Sequence, residues 1–256
     1  MGREVSISYP PERIISLVPS QTELLFDLDL KERIVGLTKF CIHPGDQVKS
    51  KKKVGGTKKL DIDLIRSLKP DLIIGNKEEN DREQVELLMQ EFPVWMSDIA
   101  DLDDSLEMIA AVGQITGRSE KASSIAGQIK AAFTKLSRLQ SGRKLRIAYF
   151  IWKNPYMVAG SDTFIDSVLR YAGWENAIYE SRYPELSAAG ISASDPDMIF
   201  LSSEPYPFKE KHIAEFQEMC PAARIQVVDG EMFSWYGSRL LQAPAYLQTL
   251  YPASGY

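Results

Sequence analysis

"KPDLIIGNKEEN" occupies residues 69–80 of the chain, and "DPDMIFLSSEPY" occupies residues 195–206. Pro70 and Asp71 match Pro196 and Asp197, an apolar run follows in each, and Glu78 and Glu204 each stand eight positions beyond the proline. A short apolar run bounded by turn residues reads as a buried strand. Two such strands, 126 residues apart and each running into an acidic tip, predict equivalent strands of two related lobes. The alternative stays open that Pro-Asp is simply a common way to begin a strand after a helix.

The neighbouring sequence carries the same rhythm outward. "RIISLV" (13–18), "RIVGL" (33–37), "DLIIG" (71–75) and "PVWM" (93–96) read as strands, with "TELLFDLDL", "IDLIRSL" and "REQVELLMQEF" as the helices between them. Strand signals resume at "KLRIAYFI" (144–151), "DMIFLS" (197–202) and "RIQVVD" (224–229), among the helical patterns "DTFIDSVLRYAG", "FKEKHIAEFQEM" and "RLLQAPAYLQTL". This alternation predicts parallel α/β sheets. The stretch from Asp103 to Lys144 has no proline and no strand signal, and its apolar residues recur at helical spacing. Gly117 ends one helix there, and Ser119 opens a second that runs to Gln140, about 33 Å long. The expected fold is α/β, two Rossmann-like lobes joined by one long rigid α-helix. The boundaries are 1–103 for the N-terminal lobe, 104–142 for the helical linker and 143–256 for the C-terminal lobe. A ligand site is expected in the crevice between lobes, at the carboxyl ends of the strands.

Composition bounds the function classes. Of 256 residues, 44% are hydrophobic and 25% charged, ordinary values for a globular protein. The net charge of -5 argues against a nucleic-acid partner, and "KSKKK" (49–53), set among turn residues, reads as a solvated loop. The longest apolar runs fall far short of the ~20 residues that cross a bilayer. "MGREVSISYPPER" lacks the apolar core of a secretory signal, so either the protein stays in the cytoplasm or a signal has been removed. Cys41 and Cys220 read as free thiols.

"RIISLVPSQTELLFDLDL", "VGLTKFCIHP" and "LIRSLKPDLIIG" resemble the first lobe of the helical-backbone metal receptors, and "NPYMVAGSDTFIDSVLRYAG", "SRYPELS" and "DPDMIFLSSEPYPF" the second. These are class III periplasmic substrate-binding proteins of ABC importers for cobalamin, haem and ferric siderophores. The resemblance covers nearly the whole chain and is nearest to cobalamin-binding members. It implies a non-enzymatic binder that captures a metal-bearing small molecule and presents it to an ABC transporter permease. Cobalamin or another corrinoid is the first expectation, with haem or a ferric siderophore second. It further implies docking by acidic residues, for which Glu78, Glu79 and Glu204 are best placed, and a periplasmic or extracytoplasmic location. No intrinsic cofactor is expected, and a monomer is. The family's docking glutamates fall near Arg82-Glu83 and near Ser234, and pocket aromatics of a relative fall at Asn76 and Thr57. These departures keep a second reading open, an intracellular corrinoid- or metal-binding protein without a permease partner.

Single residues are weighed against that background. Ser20 in "SQTE" fits a helix cap with Glu23 returning the bond, and the amides at this helix start could also meet an anionic ligand group. His43 in "FCIHPG" could ligate cobalt, iron or zinc, with Cys41 more fitting as a structural thiol. His212 is expected on a helix surface. Phe40, Trp152, Tyr156, Tyr206, Phe208, Phe233, Trp235 and Tyr236 fall in expected loops after strands, which suits either a cleft for a flat macrocycle or interlobe packing. Gly237 suits a tight turn. Arg239 either pairs with a carboxylate or contacts a ligand carboxylate or phosphate. The expected ligand-binding set is Ser20, Phe40, His43, Asn76, Trp152, Tyr156, Tyr206, Phe233, Trp235, Tyr236 and Arg239. No nucleotide-phosphate loop or nucleophile elbow is present.

Overall fold

Parallel strands covered on both faces are written as unbroken apolar runs, and the strands lie on those runs in a computed structural model that describes residues 4–138 and 143–251. The chain divides into two compact units. Unit 1 takes residues up to Ile99, then Asp103–Ile129 and Trp235–Arg239. Unit 2 takes Ala100–Leu102, Lys130–Ser234 and residues from Leu240 on. The return of 235–239 to unit 1 has no counterpart in three consecutive stretches bounded at 103 and 142. The boundary near 142 and the expected helix end at Gln140 lie outside the described residues.

Unit 1 runs β1 (Ile14–Ser16), α1 (Pro19–Asp27), β2 (Ile34–Leu37), α2 (Gly45–Lys49), β3 (Lys52–Lys53), α3 (Ile62–Leu68), β4 (Leu72–Asn76), α4 (Arg82–Glu91) and β5 (Val94–Ser97). Its sheet has the order β3-β2-β1-β4-β5, with every pairing parallel. The chain steps outward from β1 to β3, then restarts on the other side of β1 with β4. The order therefore reverses between β1 and β4, where loops leaving the carboxyl ends diverge and α/β sheets hold ligands. The core packs Ile15, Leu17, Ile65, Ile73, Val85 and Leu88 together. The basic cluster at 49–53 is not wholly loop: Lys52–Lys53 form an exposed edge strand beside Gly36 and Leu37, and lysines on an edge discourage further pairing.

Helix α5 (Leu102–Thr116) is followed by Gly117, at φ +73, and α6 (Ser119–Arg138). The residues of α6 are shared between the units, dividing after Ile129. Unit 2 continues with β6 (Arg146–Trp152), β7 (Tyr156–Val158), α7 (Phe164–Tyr171), β8 (Glu175–Asn176), β9 (Glu185–Leu186), α8 (Ala188–Ala193), β10 (Met198–Ser202), α9 (Ile213–Met219), β11 (Arg224–Val228), α10 (Glu231–Ser234) and α11 (Ala243–Thr249). The sheet order is β11-β10-β6-β7-β9, with β8 also on β6. Strands β6, β8, β10 and β11 pair in parallel, whereas β7 and β9 add an antiparallel edge that the helix-strand rhythm does not announce. Among the described residues no helix is long and apolar enough to cross a membrane.

The matched stretches do the same structural work in each unit. Lys69 (φ 46) and Asp195 (φ 45) take the left-handed conformation that ends a helix before Pro70 and Pro196. Asp71 then accepts hydrogen bonds from the backbone N–H groups of Glu12 and Arg13, both at 2.8 Å. Asp197 accepts from the N–H of Arg146 at 2.8 Å and from the Arg143 guanidinium at 2.7 Å. In return the Arg13 guanidinium donates to the carbonyls of Leu68 and Lys69, and that of Arg146 donates to those of Ser194 and Asp195. Each unit thus ties the entry of its first strand to the entry of the neighbouring strand by one aspartate and one arginine. At the far end, Asn76 Oδ1 accepts from the N–H of Glu78, and Ser202 Oγ from that of Glu204. The acidic tips are turns organised by the last polar residue of each strand. Replacing either Asp71 or Asp197 by Ala is expected to cost about 1–2 kcal/mol, read as a lower urea midpoint. The double variant should lose the sum, because the two sites share no partner.

Candidate functional site

The switch point of unit 1 is built from polar side chains that bond one another. Gln21, in the first turn of α1, donates to Ser97 Oγ at 2.6 Å, and Asn76 Nδ2 donates to the same oxygen at 3.0 Å. Asn80 Oδ1 accepts from the N–H of Asn76 at 2.8 Å, while its Nδ2 donates to the carbonyl of Leu17. A Cβ on Gly75 would stand 2.7 Å from Asn80 Oδ1, so only glycine lets this turn close. Asn76, expected among ligand contacts, is buried, and its amide bonds on both sides within unit 1. It shapes the turn that carries Glu78 and Glu79.

The capping role expected for Ser20 is also corrected. Helix α1 opens one residue earlier, at Pro19, with Val18 as its N-cap and no side-chain cap. Proline serves there because its missing N–H is one the first turn cannot use. Glu23 does not return to the helix start. It takes two hydrogen bonds from Arg239, at 2.7 and 3.0 Å, and both side chains are buried. Arg239 is thereby the ion-pairing residue of its two readings, and its guanidinium also stands 5.2 Å over the Trp235 ring.

Segment 235–239 is held at further points. Ser105 Oγ donates to the carbonyl of Tyr236 at 2.7 Å, and the Tyr236 hydroxyl donates to Glu79 at 2.5 Å. Burial, with the charge of Glu79 beside it, raises the Tyr236 phenol well above its ordinary range, so it stays a donor. Gly237 is required by close approach: a Cβ there would meet the carbonyl oxygen of Ser20 at 2.5 Å. The Trp235 indole packs edge-on against the His43 imidazole, ring centres 5.4 Å apart.

His43 stands on the loop after β2, where burial alternates. Cys41 Sγ faces inward, 3.0 Å from Thr22 Oγ1 and 3.2 Å from Thr38 Oγ1, and burial pushes its thiol up. Its neighbours Phe40 and Ile42 face out, 52% and 54% exposed, with His43 half-buried beside them. Ile42 is an aliphatic residue outside the expected aromatic set, and only its exposure marks it.

In unit 2 the aromatic set divides. Trp152, at the end of β6, is 39% exposed and packs edge-on to Tyr206, ring centres 5.6 Å apart. Tyr206 in turn lies against Phe208 and His212. His212 is buried, its Nδ1 accepting from the N–H of Lys209 at 2.9 Å, and not on a helix surface as expected. The Tyr156 hydroxyl donates to Glu215, whose other oxygen pairs with Lys153. Burial, with Glu215 beside it, pushes Tyr156 up to about 12. Phe233, expected among ligand contacts, lies in the core: it is fully buried, its ring centre 4.8 Å from that of Tyr149. Phe208 is likewise a core residue. Glu204 accepts from Ser234 Oγ at 3.0 Å. Two of the expected docking carboxylates, Glu79 and Glu204, thus each accept a hydrogen bond from within their own unit.

Burial lifts the Glu23 carboxyl above its ordinary value of 4.5, and Arg239 offsets part of that rise. Between 4.5 and the raised value the folded chain holds the Glu23 proton more tightly than the unfolded one. The stabilising contribution is then full below the unfolded pKa and lost as pH rises through the folded one. Urea unfolding across pH 4 to 8 should show wild type losing stability relative to Glu23→Gln as pH rises; an opposite slope would mean that Arg239 outweighs burial. Arg239→Met leaves Glu23 buried without its cation and is expected to cost about 3–5 kcal/mol near neutral pH.

The vitamin B12-binding protein of Pectobacterium carotovorum subsp. carotovorum (strain PC1) is 25% identical over 239 residues, covering 91% of this chain and 86% of its own. The apo form of the periplasmic heme-binding protein RhuT from Roseiflexus sp. RS-1 superposes with a TM-score of 0.82 at 24% identity, covering 93% of this chain and 97% of its own. The periplasmic vitamin B12 binding protein BtuF of Vibrio cholerae gives 0.78 at 23%, covering 94% and 98%. These two structures share the fold, which fits the expectation of two α/β lobes. Residues 14–224 match the periplasmic binding protein family, and with most of its length inside that match this chain belongs to the family.

Proposed function

We propose that the protein captures a metal-bearing macrocycle, a corrinoid first and haem second, and delivers it to an ABC transporter permease. One observation carries the reading: each unit presents exposed apolar rings or branches just beyond the carboxyl ends of its strands. In unit 1 these are Phe40 and Ile42, with His43 on the same loop; in unit 2 it is Trp152, the last residue of β6, packed on the half-buried Tyr206. Such rings suit the flat apolar face of a macrocycle, with phenol and imidazole tips supplying polar contacts. Curated relatives named as vitamin B12-binding proteins support the corrinoid. Ser20 and Tyr156 complete the expected contacts, and His43 is the candidate axial ligand to the metal. Asn76, Phe233 and Arg239 act in support, through the turn, the core and the ion pair.

Docking to the permease is assigned to the turns at Glu78–Glu79 and at Glu204, with an extracytoplasmic location for the captured ligand. A second reading, a binder without a permease, is favoured by the internal bonds of Glu79 to Tyr236 and Glu204 to Ser234. Transport assays with Glu78→Arg and Glu204→Arg separate the two: loss of uptake with unchanged ligand affinity supports docking.

Ligand capture is tested by tryptophan fluorescence during titration with aquocobalamin, ferric haem and a ferric siderophore. Saturable quenching at micromolar affinity or tighter is expected for aquocobalamin. Trp152→Ala should weaken it by roughly tenfold, the effect of about 1.4 kcal/mol. The absence of a response to any of the three would overturn the reading.

A further inference from the structure

From Lys121 to Ser161 the chain contains eight Lys or Arg and neither Asp nor Glu. The whole chain carries a net charge of -5, so the residues outside this stretch carry -13. A run so one-sided in an acidic protein is either consumed by ion pairs or presented to an anionic partner. Half of it is consumed: Lys121 pairs with Asp29, Arg143 with Asp197, Arg146 with Asp195 and Lys153 with Glu215. The other four, Lys130, Lys135, Arg138 and Lys144, are exposed and meet no carboxylate among the described residues.

These four belong to one unit, unit 2. On its part of α6, Phe133 and Leu136 turn inward. Lys130, Lys135 and Arg138 spread over the opposite arc, with only the small side chains of Ala131, Thr134 and Ser137 exposed between them. Phe133 packs edge-on against Tyr171, ring centres 5.7 Å apart, which brings the last turn of α7, with Arg170, alongside. Lys144 adds the approach to β6. The carboxylates bordering this surface are already engaged. Asp166 is held by Arg170 at 3.1 Å, Asp197 by Arg143 at 2.7 Å and Asp195 by Arg146 at 3.8 Å, while Glu175 accepts from the Tyr179 hydroxyl at 2.7 Å. The helix dipole favours cations in the last turn, which accounts for Lys135 and Arg138. It does not account for Lys130, which stands before that turn, or for Lys144, beyond the helix.

We propose that this basic face of unit 2 docks the protein onto an anionic phospholipid bilayer, lying on the headgroups without entering them. Large apolar side chains are absent from the exposed residues of α6 in unit 2, so nothing there inserts, and the attraction is one of charge. A planar bilayer touches one face of the molecule and leaves its acidic remainder in solvent. A soluble polyanion that wraps around the chain would meet that remainder and be repelled. The surface is independent of the ligand captured. Its effect on a carrier is to hold it at the membrane, where a permease lies.

The test is co-sedimentation of the full chain with phosphatidylcholine vesicles and with vesicles in which phosphatidylglycerol is a third of the lipid. Binding is expected to the anionic vesicles at low salt, to weaken at physiological ionic strength, where charges are screened over about 8 Å, and to be absent with phosphatidylcholine alone. Lys130→Gln and Lys144→Gln should each weaken binding by about fivefold, the effect of one cation near a charged surface. The four together, with Lys135→Gln and Arg138→Gln, should abolish it and leave the melting temperature within a few degrees of wild type. A control removes four lysines elsewhere, with Lys31→Gln, Lys49→Gln, Lys51→Gln and Lys52→Gln, and should bind as wild type does. Loss of binding in that control to the same extent would make net charge the cause and overturn the assignment to this face. Equal binding to both vesicle types, no binding to either, or full binding by the folded four-fold variant also overturns it. Heparin or duplex DNA bound more tightly than the anionic vesicles at the same salt would assign the face to a soluble polyanion and overturn the bilayer.

Discussion

A carboxylate and a guanidinium removed from water are tolerated only as partners, and Glu23 and Arg239 depend on one another in that way. Their separation in sequence is 216 positions, so the pair does what no local interaction could. It draws a five-residue segment of the C-terminal part of the chain onto α1. The same segment carries Trp235 and Tyr236, and at Gly237 it passes close against the backbone of Ser20.

The second organising constraint is repetition. In both units a left-handed residue, a proline and an aspartate end one helix and begin a strand. In both, an arginine at the entry of the first strand answers that aspartate. This is a geometric solution to one problem, how to bring two parallel strands into register at their entry ends. The acidic turns at the exit ends are consequences of strand length and of the polar residue that closes each strand. Their carboxylates then differ in use, because Glu79 meets a tyrosine and Glu204 a serine.

The strand rhythm and the paired Pro-Asp motifs were legible because they are written by local rules: apolar runs, turn residues and helix ends. The site was legible only in part. Trp152 and Phe233 look alike in the sequence, each an aromatic after a strand. One is exposed and the other buried, because Tyr149 and Phe200 close over Phe233 from distant positions. Glu23 satisfied the local spacing of a capping box, but a long-range cation competed for it and won. Asn76 was expected at a ligand surface from resemblance, whereas its amide bonds locally to the N–H groups of Glu78 and Glu79 and, once β4 and β5 pair, to Ser97. Ile42 escaped notice because an aliphatic side chain between Cys41 and His43 has no chemical signature until burial shows which way it points. The edge strands β3 and β9 have two residues each, too short for any periodicity to register.

The path of the chain through segment 235–239 also bears on the order in which the protein is made. Synthesis proceeds from the amino end, and units generally fold as they emerge. Every strand of unit 1 has been made by Ser97, yet the partner of Glu23 is not made until residue 239. Until that segment is made, Glu23 on α1 lacks the guanidinium of Arg239, and His43 lacks the indole of Trp235. Unit 1 is therefore completed by a segment made after every strand of unit 2, so its folding cannot finish before residue 239 has been synthesised.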